Sequence, residues 1–589
     1  DDRGGPASPR PGDRLSPTVP LDYDAEGGTR TPTGYRPLRP ERSASTNSTT
    51  SAWTRNLLSP LNEVNATEHQ ELNGSMRLQA IDESAIGASG VRRAPCIVVE
   101  RHGAQLDVRG DESWWAPIRP VEVGRTGWRW DGERLIARTG RYGFRALFYR
   151  ELPGGIAMSP SLVRLLAVGG PPVIDDGALG VFLRLGFFVG EDTAFRGVRV
   201  LPPSAGFEWR AGRLCVDGSY VRPAPRTMSR DAAIDAYIDT FRAAVRRLAS
   251  HGGPHLLPLS GGRDSRHILF ELCGLGTPPV RCLTLRNYPP RGARDIEIAK
   301  ELAGALGLTH EIVDEQASRA FAELRKNLAT HFCADEHAWF VPLADALSGV
   351  DATLWDGIAG DVLSNGHRLS AAQLGLARAG RAEDLAEVML DESVLRLVPP
   401  AAAARLDRQS AVARLAAELK RHLDAPNPLG SFVFWNRTRR EIALVPFGLW
   451  DGISRVATPF LDPDVFDLLS ALPAEMFLDR QFHGDAIRRA FPQYASLRFD
   501  TESTLPPISP PNHTPQDAAY YRRLFRETGA YVGRAPASRY VRRWWVLARA
   551  AYWTLRGDFS DASVMPWALY LAQLETMTRW GADGRPDHS

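Results

Sequence analysis

Hydrophobic and polar positions divide the chain into stretches of different rhythm. Residues 1–91 are rich in Pro, Gly, Ser, Thr and Arg and hold no sustained apolar period of either the strand or the helix type. Such a stretch buries too little to offset the entropy of ordering and reads as a disordered leader. Residues 92–222 carry short apolar or alternating runs, Cys96-Ile97-Val98-Val99, Trp128-Arg129-Trp130, Leu135-Ile136-Ala137 and Ala146-Leu147-Phe148-Tyr149, separated by Gly and Asp-Gly turns. That pattern predicts a strand-rich domain, with one helix over 176–185 and a hairpin pairing 206–209 with 213–216. Over 223–515 the rhythm becomes helix 230–250, strand 255–259, helix 265–273, strand 280–285, helix 293–306 and strand 310–313, the alternation of a parallel sheet with helical crossovers. The rest, 516–589, reads as a helical C-terminal extension in which the run from Trp544-Trp545 to Trp553 is a packed helix. The fold class expected is therefore α/β, a strand-rich domain followed by an α/β domain with a helical C-terminal part.

Composition narrows the function classes. With 71 basic and 69 acidic residues the net charge is +2, which excludes the one-sided charge of a dedicated nucleic-acid or membrane-surface binder. No apolar run approaches the ~20 residues that span a bilayer. Five cysteines without a CxxC pair indicate neither a disulfide framework nor a zinc cage. With no secretory signal pattern, the expectation is a cytoplasmic protein in which the sequons at Asn47, Asn65 and Asn73 have no role. Lysine occurs only at Lys300, Lys326 and Lys420, which limits where a catalytic ammonium can stand.

The chemistry-bearing string is Leu259-Ser260-Gly261-Gly262-Arg263-Asp264-Ser265. A strand running into a glycine turn and a helix start gathers backbone N–H groups and the positive helix end around one point, which suits a phosphate. The two glycines permit positive φ and close approach of ligand oxygens. Ser260 and Ser265 add hydroxyls, and Asp264 is a hard oxygen ligand fit for Mg²⁺ beside pyrophosphate. The Walker pattern is absent.

Ser-Gly-Gly-x-Asp-Ser after a strand resembles the PP-loop of the ATP pyrophosphatases, and further strings narrow the resemblance to the asparagine synthetase superfamily over about 95–492. Asp356-Gly357-Ile358-Ala359-Gly360-Asp361 resembles its second acidic loop, and Thr458-Pro459-Phe460-Leu461-Asp462 its Val-Pro-Phe-Leu-Asp string. Arg141 to Tyr149 and Leu201-Pro202-Pro203-Ser204 are similar to segments of its glutaminase domain. The resemblance implies a class II glutamine-amidotransferase-like N-terminal domain and a PP-loop synthetase domain. It implies ATP and Mg²⁺ as cofactors, with the metal bridged by Asp264 and Asp361; the adenine pocket is expected around Leu259 and the strand end Thr284-Leu285-Arg286, with Gly357 joining the nucleotide site. A substrate carboxylate attacks the α-phosphate, and an amine then displaces AMP.

Departures from the family pattern set the finer reading. The nucleophile of the ammonia-producing half corresponds to Cys96, which lies deep in the chain and is followed by Ile97, so the N-terminal domain reads as degenerate. Ile358 replaces a glutamate, and the family lysine is missing. The stretch Phe482-His483-Gly484-Asp485-Ala486-Ile487-Arg488 offers His483 or Arg488 in its place. Arg263 and Arg266 resemble the peptide-modifying branch, whose members close macrolactam rings in lasso peptides. That branch implies a peptide substrate and a leader peptidase as partners, without nucleic acid or membrane. Two alternatives stand beside it: an enzyme making asparagine from aspartate with ammonia or glutamine, and a non-catalytic nucleotide- or peptide-binding scaffold.

Overall fold

Period-2 alternation builds two antiparallel sheets in the first part of the computed structural model, which describes residues 94–103, 105–117, 124–286, 291–314, 318–499, 515–535, 538–556 and 562–578. The leader over 1–91 and its sequons lie outside the described residues. In the first sheet the order is β2 (Gln105–Gly110), β1 (Ile97–His102), β7 (Gly155–Ser159), β6 (Phe148–Leu152) and β8 (Val198–Val200). In the second it is β10 (Arg213–Asp217), β9 (Gly206–Arg210), β5 (Arg134–Arg138), β4 (Gly127–Trp130) and β3 (Ser113–Trp115). Register places Val99 opposite Val108 on one side and Ile156 on the other. Ile97, Val99, Ile156 and Met158 therefore share a core with Trp128, Leu135 and Trp209 of the second sheet. Cys96, Val98 and Ala157, one residue out of phase, enter a different core with helix α1 (Asp176–Leu185). The strand expected over 146–149 is displaced to begin at Phe148, because the residues before it serve another contact: Tyr142 and Phe144 pack on Phe434, with ring centroids 5.9 and 5.5 Å away.

The third sheet is parallel, in the order β13 (His310–Val313), β12 (Arg281–Leu285), β11 (His255–Pro258), β14 (Thr353–Trp355) and β15 (Arg455–Ala457). Helices α2 (Arg230–Ala249), α3 (Arg263–Gly274) and α4 (Arg291–Ala305) follow the expected alternation. From β11 the chain first moves outward through β12 to β13 and then returns to β14 on the opposite side. The strand order thus reverses between β11 and β14, and the crevice at such a reversal is where open parallel sheets bind ligands. The turn after β11 leads directly into Asp264, and the loop after β14 into Asp361, each in the first turn of the helix that follows.

The remaining helices tie the sheets together. Helix α5 (Arg319–Ala329) shares a core with α1, the outer face of the first sheet and the C-terminal helices α9 (Pro515–Arg534), α10 (Arg543–Arg556) and α11 (Met565–Met577). Tyr570 stacks on Phe182 at 5.0 Å and donates to the Phe332 carbonyl at 2.8 Å. The tryptophan run departs from expectation in one member: Trp553 is buried, whereas Trp544 is 79 % exposed. Helix α10 is packed through Val546, Ala550 and Trp553, a face that does not include position 544.

Between helix α7 (Arg408–Lys420) and the N-terminal sheets lies a buried polar joint. Glu418 accepts from Tyr220 Oη at 2.5 Å, Arg421 at 2.9 Å and Asn436 Nδ2 at 3.2 Å, with His422 Nε2 at 3.1 Å, and Asn436 Oδ1 accepts the Gly190 N–H at 2.7 Å. Burial works against the charge, but His422, Arg421 and Tyr220 together hold the Glu418 carboxyl down to about 2. A carboxyl depressed in the fold contributes stability above its ordinary value of 4.5, lost as pH falls toward about 2. Glu418→Ala strands these donors in the interior and is expected to cost about 2–4 kcal/mol in urea unfolding at neutral pH. The gap between variant and wild type should narrow as pH falls from about 4.5; a gap that stays constant to pH 3 would contradict this account.

Candidate active site

Helix α3 begins immediately after the glycine turn. Its N-cap, Gly262, supplies no side chain to satisfy the first turn, so the helix end keeps its positive character. The expectation about φ is corrected here: neither Gly261 nor Gly262 has a positive φ, Gly262 sitting at −73°. What Gly262 provides is proximity, since a Cβ there would meet Ser260 Oγ at 3.3 Å. The turn is braced internally. Ser260 N–H donates to Ser265 Oγ at 3.1 Å, Gly262 N–H to Ser260 Oγ at 3.3 Å, and Gly261 N–H to the Asp295 carboxylate at 3.2 Å.

Asp264 projects from the first turn of α3 against the loop after β14. The Asp361 N–H, in the first turn of α6 (Gly360–Ser364), donates to Asp264 Oδ2 at 3.0 Å. This approach requires glycine at two places: a Cβ on Gly360 would lie 2.5 Å from Asp264 Cγ, and one on Gly357 2.7 Å from Asp264 Cβ. Ala359 between them adopts φ +72°, a left-handed conformation that costs an alanine about 1 kcal/mol or more. The loop is thus built to bring Asp361 beside Asp264.

Both carboxylates open on a cavity of about 370 Å³, within the range of ligand sites. Leu259, Ser260, Ser265, Thr284, Leu285, Gly357 and Ile358 line it from the sheet side, with Trp339, Phe340 and Trp355 as aromatic walls. Thr284 Oγ1 is fixed by the Leu259 carbonyl at 2.7 Å. Asp356, also lining, is pushed up to about 6 by burial, with Asp264 adding repulsion. Two adjacent carboxylates facing a cavity fit Mg²⁺, which binds by one or two carboxylates and completes its shell with water and substrate phosphate.

Five of the sequence candidates lie off the cavity lining: Gly261 and Gly262 in the turn, Arg263 at the start of α3, and His483 and Arg488. His483, on α8 (Phe482–Ala490), is fully buried behind Asp264, with Nδ1 3.0 Å from Ser364 Oγ and 3.3 Å from Asp264 Oδ1. Its Nε2 faces Tyr237 Oη and His267 Nδ1, each at 3.1 Å. Burial and the nearby Arg263 push it down to about 3, which favours a neutral imidazole packed behind Asp264 over the charged group facing substrate that the sequence suggests. The Arg488 guanidinium stands 5.0 Å over the Phe499 ring, which Arg263 and Arg266 also face at 4.8 and 4.3 Å, and it pairs with Asp485 at 3.8 Å. Arg263 and Arg266 thus hold the chain near Phe499.

Among the described residues, the arginine that lines the cavity is Arg437, which the sequence reading missed. It stands on a π-helix, Phe434–Thr438, a geometry frequent at functional sites. Its neighbours Asn436, Arg439 and Arg440 grip the N-terminal part: Asn436 Oδ1 holds the Gly190 N–H, Arg439 donates to the Leu201 carbonyl at 2.7 Å, and Arg440 to those of Gly190 and Asp192 at 2.8 and 2.7 Å. Arg437 itself is held by Glu441 at 3.4 Å and Glu336 at 3.5 Å. The signal was present as an Arg-rich string between apolar runs, since charge amid buried residues is either paired or functional.

Cys96 is buried, its backbone N–H donates to Asp111 at 2.9 Å, and burial pushes its thiol up to about 11. A thiol in that state is not a nucleophile near neutral pH.

Residues 236–443 match the family model described as Asparagine synthase. The stretch takes in the loop of Asp264, the loop of Asp361 and Arg437, and it supports the asparagine synthetase superfamily and, with it, ATP-dependent ligase chemistry. A search of curated proteins finds no match. Among the described residues, no helix is long and apolar enough to cross a membrane.

Proposed function

We propose that the chain is an ATP-dependent, AMP- and pyrophosphate-forming amide-bond synthetase whose finer role is macrolactam closure in a lasso-type peptide precursor. The observation that carries the ligase reading is the hydrogen bond joining Asp361 to Asp264 at the mouth of the cavity. Asp264 and Asp361 would hold Mg²⁺, which supplies charge neutralisation on the phosphates. A substrate carboxylate oxygen attacks the α-phosphorus, the bond to the bridging oxygen breaks, and pyrophosphate leaves. An amine nitrogen then attacks the acyl carbon, AMP departs with the bonding electrons, and the nitrogen sheds a proton. Arg437, always charged and planar, is suited to balance the charge that gathers on the departing pyrophosphate. His483 keeps Asp264 oriented, and the aromatic walls limit access of water to the acyl-adenylate.

Burial of Cys96 supports an amine that comes with the substrate, and the antiparallel sheets fit a glutaminase-like domain retained without its nucleophile. On this reading the domains divide at about 222 and 515, the partners are a precursor peptide and a leader peptidase, and the compartment is the cytoplasm. Formation of asparagine from aspartate and ammonium is the second reading, favoured by the description of the matching family model. Pyrophosphate release by the full chain, followed by mass analysis, separates the two. Release coupled to loss of one water from the peptide supports ring closure. Release only with aspartate and ammonium supports the second, and no release under either condition leaves a binding scaffold.

A further inference from the structure

Beside Arg437, at the cavity-lining His337, three side chains converge. One ligand atom from each of Glu336, His337 and Glu441 lies within 4.8 Å of the others. His337 and Glu441 are 6 % and 1 % exposed, His337 Nδ1 has no hydrogen-bond partner, and the Glu441 carboxyl, which also meets that of Asp335, turns Oε1 toward it. These two atoms face each other at 3.5 Å, beyond the usual range for an N–H···O bond. Leaving a buried imidazole nitrogen unmatched beside a carboxylate in the interior is costly.

The spacing identifies what would satisfy them. Two ligand atoms about 2.0–2.2 Å from one ion, set at the tetrahedral angle, stand roughly 3.4 Å apart. The acceptors around a single ammonium, at hydrogen bonds of about 2.8–2.9 Å, would stand roughly 4.7 Å apart. The 3.5 Å separation matches the ion. Arg437 is the nearest competing cation, and it approaches Oε2 of both glutamates; the atom turned to His337 is Oε1 of Glu441. Two further cations stand near: Arg368, which feels the charge of Glu441 and Glu336, and Lys326, which is occupied by the Ala334 and Asp335 carbonyls at 2.8 and 3.1 Å and by Glu323 at 3.2 Å.

We propose that Glu336, His337 and Glu441 form a second cation site that takes a divalent transition ion of the zinc type. One imidazole with two carboxylates suits Zn²⁺ and not Mg²⁺, which selects all-oxygen shells. Because His337 lines the cavity, the ion would stand in its wall with an open position toward it.

The test needs no ATP, so its failure is separate from failure of the ligase reading. Zn²⁺ is titrated by calorimetry into the metal-stripped full chain with Mg²⁺ in excess, and tryptophan fluorescence is followed, since the Trp339 ring lies 5.2 Å from that of His337. One ion per chain is expected. His337→Gln and Glu336→Gln should each weaken it roughly tenfold or more; Glu336, the more exposed, serves if the His337 variant fails to fold. The other group with ligand spacing among the described residues, Glu100, His102 and Asp107 on the β1–β2 hairpin, is controlled by His102→Gln, which should leave the binding unchanged. No binding by the wild type, or binding lost with His102→Gln and kept with Glu336→Gln, overturns the proposal.

Discussion

Asp264→Asn is expected to reduce pyrophosphate release by about a thousandfold or more while the fold stays intact. The substitution preserves size, and the amide oxygen can still accept the Asp361 N–H now donated to Asp264 Oδ2 at 3.0 Å. What disappears is the negative charge. The neutral imidazole of His483, 3.3 Å from Oδ1, does not replace it, and Asp361 alone leaves a divalent ion with half of its protein charge. Packing around the side chain is governed by Gly357 and Gly360, which are untouched, so the thermal midpoint should change little. Pyrophosphate release and circular dichroism melting, measured on one preparation, check both halves. Activity within tenfold of wild type would place the nucleotide chemistry elsewhere.

Arg437→Gln is expected to lower turnover by roughly 10²–10³-fold, the range seen when one donor to developing charge is removed. The effect should fall on kcat more than on KM for ATP, because the charge Arg437 meets grows during departure of pyrophosphate. Arg437→Lys tests geometry against charge: it keeps the cation but loses the planar fork that now reaches Glu441 and Glu336, and should recover only part of the rate. If glutamine at 437 leaves kcat within threefold, the cavity has a different cation and the family lysine has no substitute here.

Much of the scaffold around this site was legible because its signals are local. The strand 310–313 and the helix 176–185 coincide with the observed elements, and the loops of Asp264 and Asp361 announce themselves through glycines whose missing side chains let the two loops touch. Other features depend on tertiary neighbours. Arg437 belongs to no spaced motif, and its orientation follows from a π-turn and three contacts across the chain. His483 looked available in a polar string, yet Phe482, Ala486 and Ile487 beside it are buried and carry it inside. Phosphate-loop glycines suggested left-handed backbone, whereas the strain sits at Ala359 and His337, where composition gives no warning.

The π-turn at Phe434–Thr438 has a consequence for how the molecule can be divided. Asn436, Arg439 and Arg440 clasp Gly190, Leu201 and Asp192, and the residue enclosed by that clasp is the one facing the cavity of Asp264 and Asp361. The segments flanking β8 therefore act as a jig for a guanidinium some 240 positions downstream. Separating the parallel sheet from the residues before it would remove these contacts, and with them whatever aims Arg437 at the cavity that Asp264 and Asp361 line.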